Sequence, residues 1–171
     1  MLPLTPPSPE KLVVLGVLQN EWFKDPERIR QALAHSSNPK TFRRRLITYA
    51  LFAGCRTGRI LKKFLGEDWC EEIIWENASP QFGGISSCTF PADKKHLYNL
   101  MQEVRPNVVI AFGMTACGAF AQTNFGGLYR VFEAPHPCAR DPEKVARELT
   151  RVRRELDTMK HVQEVSARLS R

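Results

Sequence analysis

A single histidine, His136, stands between Pro135 and Pro137 in the stretch VFEAPHPCAR, directly after a short apolar run. Proline fixes its own φ and restricts the residue before it, so this histidine sits on a stiff loop. Two uses fit that stiffness: a turn that ends a strand, or a side chain held still for catalysis. Asn77 ends another apolar run, EEIIWE, and precedes Ala78-Ser79-Pro80. Its planar amide carries a donor and an acceptor side by side, which suits reading a ligand's edge; Asn is equally at home as a cap or turn residue. A third polar group, Gln19-Asn20-Glu21-Trp22, follows the apolar run KLVVLGVL.

Charge narrows the partner. The 171-residue chain has a net charge of +7, with clusters at FRRRL (42–46), at CRTGRILKK (55–63) and along the C-terminal stretch. Such clustering fits a polyanion, with nucleic acid foremost, or a solvated basic face that binds nothing in particular. The five cysteines are odd in number, widely spaced and form no C-x-x-C pair, so neither a disulfide framework nor a zinc or iron–sulfur site is expected. No cofactor is expected. No apolar run approaches the roughly 20 residues that span a bilayer. Residues 1–10 read as a short, proline-rich flexible lead without the pattern of a signal peptide, which makes the cytoplasm the default location.

The elements that must position these residues follow from periodicity. The runs 11–18, 71–77, 107–113 and 128–134 read as buried strands, short and rich in β-branched residues. Between them, Asp25 and Pro26 announce a helix through DPERIRQALAH. Thr41 can cap a second through FRRRLITYALF, which stops near Gly54, and GRILKKFLG adds a short one closed by Gly66. Pro91 opens a helix through ADKKHLYNLMQEV, and TACGAFA forms another. Residues 142 to 168 form one amphipathic helix with Val145, Leu149, Val152, Leu156 and Met159 on its apolar stripe. Strands alternating with helices predict right-handed crossovers and an α/β three-layer sandwich, with a central, mostly parallel four-stranded sheet flanked by helices. Residues 11–171 form a single domain. Ligands in such folds collect at the carboxyl ends of the strands. The segments expected there are Gln19 to Trp22, Asn77 to Ser79, Gly113 to Thr115 and Pro135 to Pro137.

In the order and placement of these motifs the chain resembles the uracil-DNA glycosylase superfamily, as a divergent member without iron–sulfur cysteines. Gln19-Asn20-Glu21-Trp22 is similar to the motif after the family's first strand, with Glu21 where proline is usual. LFAGCRTGRIL is similar to its aromatic-x-Gly element and basic helix, with Phe52 in the aromatic position. Asn77 matches the asparagine that reads the base, RPNVVIAFGMTACGAF the third strand and following helix, and HPCAR the His-Pro-Ser motif, with Cys138 in place of serine. The resemblance runs from about residue 11 to 142.

It implies a monofunctional DNA glycosylase that hydrolyses the N-glycosidic bond of uracil, or a related modified pyrimidine, and leaves an abasic site. Such a reaction builds negative charge on the departing base and needs a water held below the sugar. His136, as a neutral donor, would stabilise the base, and Asn20 would orient the water. Asn77 would read the base edge, Phe52 stack on it, Trp22 exclude a 5-methyl group, and Gln19 contribute main-chain groups. Glu21 or Glu76 could instead supply a base if the first motifs are shifted by one residue. Phe52 has core packing as its plain alternative, and Asn20 a turn role. Extracting a base costs a few kcal/mol, to be offset by phosphate contacts from Arg43, Arg44, Arg45, Arg56, Arg59, Lys62 and Lys63, with Arg140 filling the vacated space. The alternatives are a catalytically inactive nucleic-acid-binding member of the same fold and a glycosidase of free nucleosides or nucleotides. A monomer is expected, with a dimer through the C-terminal helix as the other arrangement.

Overall fold

The computed structural model describes residues 11–19, 25–83, 90–122 and 129–169. Four apolar segments form its strands: β1 (Val14–Leu18), β2 (Ile74–Asn77), β3 (Val108–Phe112) and β4 (Arg130–Ala134). All pairings are parallel, in the order β2-β1-β3-β4. Every residue of β1 and β3 is buried, as expected of central strands covered on both faces.

Alternation along the strands sorts the core into two layers. On one face Val14, Leu18, Val108, Ile110 and Phe112 pack with α2 (Pro39–Phe52), α3 (Arg56–Leu65), α4 (Glu67–Glu72) and α7 (Pro142–Leu169). α1 (Pro26–Ala34) adds Ile29 and Leu33 at the margin of that layer. On the other face Leu15, Val17, Val109 and Ala111 meet α5 (Lys94–Val104) and α6 (Gly113–Gln122). The result is a three-layer α/β sandwich whose strand ends all emerge at one edge. Close approach is built in at Gly16, where a Cβ would come within 2.7 Å of the Trp75 ring.

Local expectations hold with four corrections. Pro91 does not open α5, which starts at Lys94 with Asp93 as its cap, the Asp93 side chain accepting from the His96 N–H. Asn38, not Thr41, caps α2: its side chain accepts from the Thr41 main-chain N–H, and Pro39 supplies the preset φ of the first helical position. The segment expected as a strand from residue 71 begins instead as α4, with Glu67 and Asp68 at its N-terminus, where acidic charge is favourable. β2 is therefore only four residues long. β1 likewise starts at Val14 and not at Lys11. The apolar stripe of α7 is buried from Val145 to Leu156, whereas Val162, Val165 and Leu169 beyond it are exposed. No helix among the described residues is long and apolar enough to cross a membrane.

Candidate active site

The strand order places the four exits side by side, with Asn77 ending one outer strand and Pro135-His136-Pro137 following the other. Three inter-strand steps of about 4.8 Å put those exits about 14 Å apart. Asn77 and His136 therefore do not touch across the sheet. A ligand shared by them must lie over the exits of β1 and β3.

His136 is held from three directions. Its carbonyl accepts from the Ala139 N–H at 2.8 Å, closing a turn, and its Nδ1 accepts from the Cys138 N–H at 3.1 Å. With Nδ1 acting as acceptor, the proton of the neutral ring sits on Nε2. Burial lowers the His136 pKa from its ordinary value of 6.5, so the ring is neutral at physiological pH. Gly113, at φ +79°, lies beneath it, and a Cβ there would come within 3.3 Å of the His136 Cβ. A cavity of about 470 Å³ opens beside the ring, lined also by Met114, Cys117, Glu133, Lys144 and Glu148. Cys138 has a place in this arrangement: its Sγ lies 3.3 Å from the Thr57 hydroxyl in the first turn of α3. That contact ties the histidine loop to the helix carrying Arg56 and Arg59.

Asn77 closes β2. It is fully buried, and neither its Oδ1 nor its Nδ2 has a hydrogen-bond partner among the described residues. Each such unmade bond costs about 1–3 kcal/mol, so a residue kept in this state calls for a ligand-facing explanation. The main chain of Asn77 is well served by contrast. Its N–H donates to Glu76 Oε1 at 3.0 Å and its carbonyl accepts from His96 Nε2 at 3.1 Å. Burial lowers the His96 pKa from 6.5, opposed by the nearby Glu76 carboxylate and reinforced by Arg43. Gln19 is half-buried at the exit of β1. Asn20 and Trp22, like Glu21, lie outside the described residues.

Other expected contributors are placed differently. Phe52 packs edge-on against Trp75 at 5.6 Å, and Trp75 stacks on Phe112, so its observed contacts are those of core packing. The cavity beside His136 does not include it. Glu76 is unsuited to act as a base, because Arg43 Nε binds the same oxygen at 2.9 Å. Arg43 is correspondingly withdrawn from the DNA-binding set: its guanidinium also donates to the carbonyls of Pro80 and Ser79 and lies 4.6 Å over the Phe82 ring. Arg44 pairs with Glu103 and Lys62 with Glu67. Arg45, Arg56, Arg59 and Arg140 are exposed and have no ion-pair partner among the described residues. Arg56 adjoins Thr57 and Arg140 lies two residues beyond Cys138, so both flank the contact that anchors His136.

Sequence reasoning missed His96 and Thr57. Only their offsets were visible there, three residues after the capping Asp93 and two after Cys55, and neither offset reports a contact across the fold. Among the described residues no group of three or more His, Cys, Asp or Glu side chains could hold a metal ion. Comparisons of the chain with models of known families, with curated proteins and with solved structures found no match. Fold and site together define an α/β sandwich with a stiff neutral histidine and a buried, unpartnered amide at the carboxyl edge of its parallel sheet.

Proposed function

We propose that the chain is a monofunctional DNA glycosylase that removes uracil or a related modified pyrimidine and leaves an abasic site. The observation that carries this reading is the Asn77 amide, a donor–acceptor pair buried at a strand exit with neither atom hydrogen-bonded among the described residues. A pyrimidine's N3 and C4 edge supplies the complementary pair. Because Asn77 is out of contact with solvent, a base reaches it only after the surrounding chain opens, as in extraction of a nucleotide into a closed site.

In this reading the C1′–N bond breaks with its electron pair leaving on the base, a water oxygen bonds to C1′, and the proton the water loses ends on the departing base, which is released neutral. His136 Nε2–H donates to a base carbonyl oxygen and stabilises the departing anion; its preset tautomer and rigid loop avoid reorganisation during the reaction. The resemblance gives Asn20 the positioning of the water. Arg45 on α2, Arg56, Arg59 and Lys63 on α3, and Arg140 after the histidine loop are exposed cations available for DNA phosphates. A cytoplasmic enzyme of base-excision DNA repair is the setting this implies.

The test is release of free base from oligonucleotides carrying uracil, 5-substituted uracils, hypoxanthine or modified cytosines. Release from one of these, lost in His136→Ala, supports the reading. Salt-dependent DNA binding without release from any of them replaces it with a non-catalytic binding role. Release from deoxyuridine alone, indifferent to Arg56→Gln, replaces it with a nucleoside glycosidase.

A further inference from the structure

We propose that Glu76 and His96 form a main-chain clamp that sets where the Asn77 amide stands, making both of them positioning residues for the base-reading site. The inference rests on the role given to Asn77 above. Its physical origin is the position of β2 at the rim of the sheet, where one side of the strand has no neighbouring strand among the described residues. In a parallel strand the N–H and C=O of one residue point to the same side. Ala78 points inward, its N–H donating to Leu18 at 2.7 Å, so Asn77 points outward to the open edge.

At that edge two side chains take the place of a missing strand. The Glu76 carboxylate receives the Asn77 N–H, and the His96 imidazole donates to the Asn77 carbonyl. The carbonyl can only accept, so His96 carries its proton on Nε2. Both groups are themselves fixed. Arg43 binds the same Glu76 oxygen and reaches on to the carbonyls of Ser79 and Pro80, so it holds the chain that follows Asn77 as well. His96 sits in the first turn of α5, where the Asp93 side chain receives the His96 N–H at 2.9 Å. Water could satisfy an exposed strand edge. A buried carboxylate and a half-buried imidazole on the two sides of one residue instead fix its position, and that residue carries the unpartnered amide. A clamp acting on the main chain leaves both amide atoms unpaired, as they are among the described residues.

The experiment uses the full chain and four substitutions: Glu76→Leu, Glu76→Gln, His96→Leu and His96→Gln. Glutamine at 96 can donate to the Asn77 carbonyl from about the place of Nε2, and leucine cannot. The first readout is hydrogen exchange of the Asn77 main-chain amide, referred to the Val109 amide in β3. The second is kcat/KM for release of uracil from an oligonucleotide, alongside affinity for uracil-free duplex. Exchange at Asn77 should accelerate at least about tenfold in Glu76→Leu and less in Glu76→Gln, which retains an acceptor oxygen. Misplacing the base reader should lower kcat/KM by about 10- to 100-fold in His96→Leu, with most of the loss restored in His96→Gln and duplex affinity unchanged.

Unchanged exchange at Asn77 in folded Glu76→Leu overturns the clamp. Should that variant not fold, unchanged turnover in folded His96→Leu overturns it equally. Faster exchange with turnover kept within about twofold reduces the contacts to structural ones and overturns the positioning role. A parent chain that releases no base, while Asn77 exchange still responds, overturns the glycosylase reading and leaves the clamp standing.

Discussion

Replacing Asn77 with leucine should stabilise the protein while abolishing its activity. Leucine has the same branching as asparagine and places methyl groups where Oδ1 and Nδ2 now stand. Those two atoms are buried and unpartnered, so their removal relieves about 1–3 kcal/mol for each. The bulkier side chain enters a packed region, since Ala78 and Ser79 beside it are also buried, and overpacking returns about 1–3 kcal/mol. The difference favours the variant by about 1–3 kcal/mol. For a chain of this length that corresponds to a rise in Tm of about 2–12 °C. Thermal unfolding followed by circular dichroism measures the shift, and release of uracil from an oligonucleotide measures the function. If Asn77 were an ordinary capping or turn residue, its side chain would be bonded and leucine would lower the Tm. A drop in Tm, or base release retained at the parent rate, refutes the reasoning.

Four further outcomes follow from the same geometry. His136→Ala should abolish base release with little change in duplex affinity, read by gel shift beside a turnover assay. The acid limb of kcat should lie below pH 6.5, because burial holds His136 neutral and only the neutral ring pairs Nε2–H donation with an Nδ1 acceptor; a limb at or above 6.5 contradicts this. Stability should fall over the same acid range: His96 and His136 both have folded pKa values below 6.5, the unfolded chain binds more protons there, and unfolding free energy therefore rises with pH through that window. Arg56→Gln and Arg140→Gln should each reduce the slope of log affinity against log salt by about 1, whereas Arg43→Gln should lower stability by about 3–5 kcal/mol by orphaning the buried Glu76 carboxylate, as salt titration and denaturant melts would show.

Much of this arrangement was legible because it is local. Asp25-Pro26, the apolar run at 107–113 and the 3–4 spacing from Val145 to Leu156 each specify an element without reference to anything distant. Alternation of strands and helices then sufficed for a parallel sheet, and the rule of carboxyl-end sites selected Asn77 and His136. What the sequence could not carry is lateral. Thr41 and Asn38 are both acceptable caps, and only the Asn38-Pro39 pair, with its preset φ, decides between them. Glu71 and Glu72 lead directly into the apolar Ile73-Ile74-Trp75 and so read as part of one strand, yet burial of Trp69 and Cys70 against the core winds the approach to β2 into helix.

The basic cluster at 43–45 shows most clearly why composition misleads. Three consecutive arginines on a helix point in three directions, about 100° apart. One of them, Arg43, turns inward to the Glu76 carboxylate, Arg44 is drawn to Glu103, and only Arg45 stays open to solvent. Charge count alone assigns all three to a phosphate backbone; pairing leaves one. Cys138 illustrates the converse. It stands where the resembling motif has serine, and its sulfur reaches Thr57 on α3 while its N–H fixes the tautomer of His136. A residue two positions from the histidine thus sets which ring nitrogen carries the proton and ties the loop to the helix bearing Arg56. Cys138→Ser keeps the main-chain bond but, because a C–O bond is shorter than C–S, draws the side-chain atom away from Thr57, so it should preserve the acid limb of turnover while loosening the loop's anchorage to α3. Cys138→Pro removes the N–H itself and should release Nδ1. A pH profile unmoved by the proline variant would show that the tautomer of His136 is set by something other than this loop.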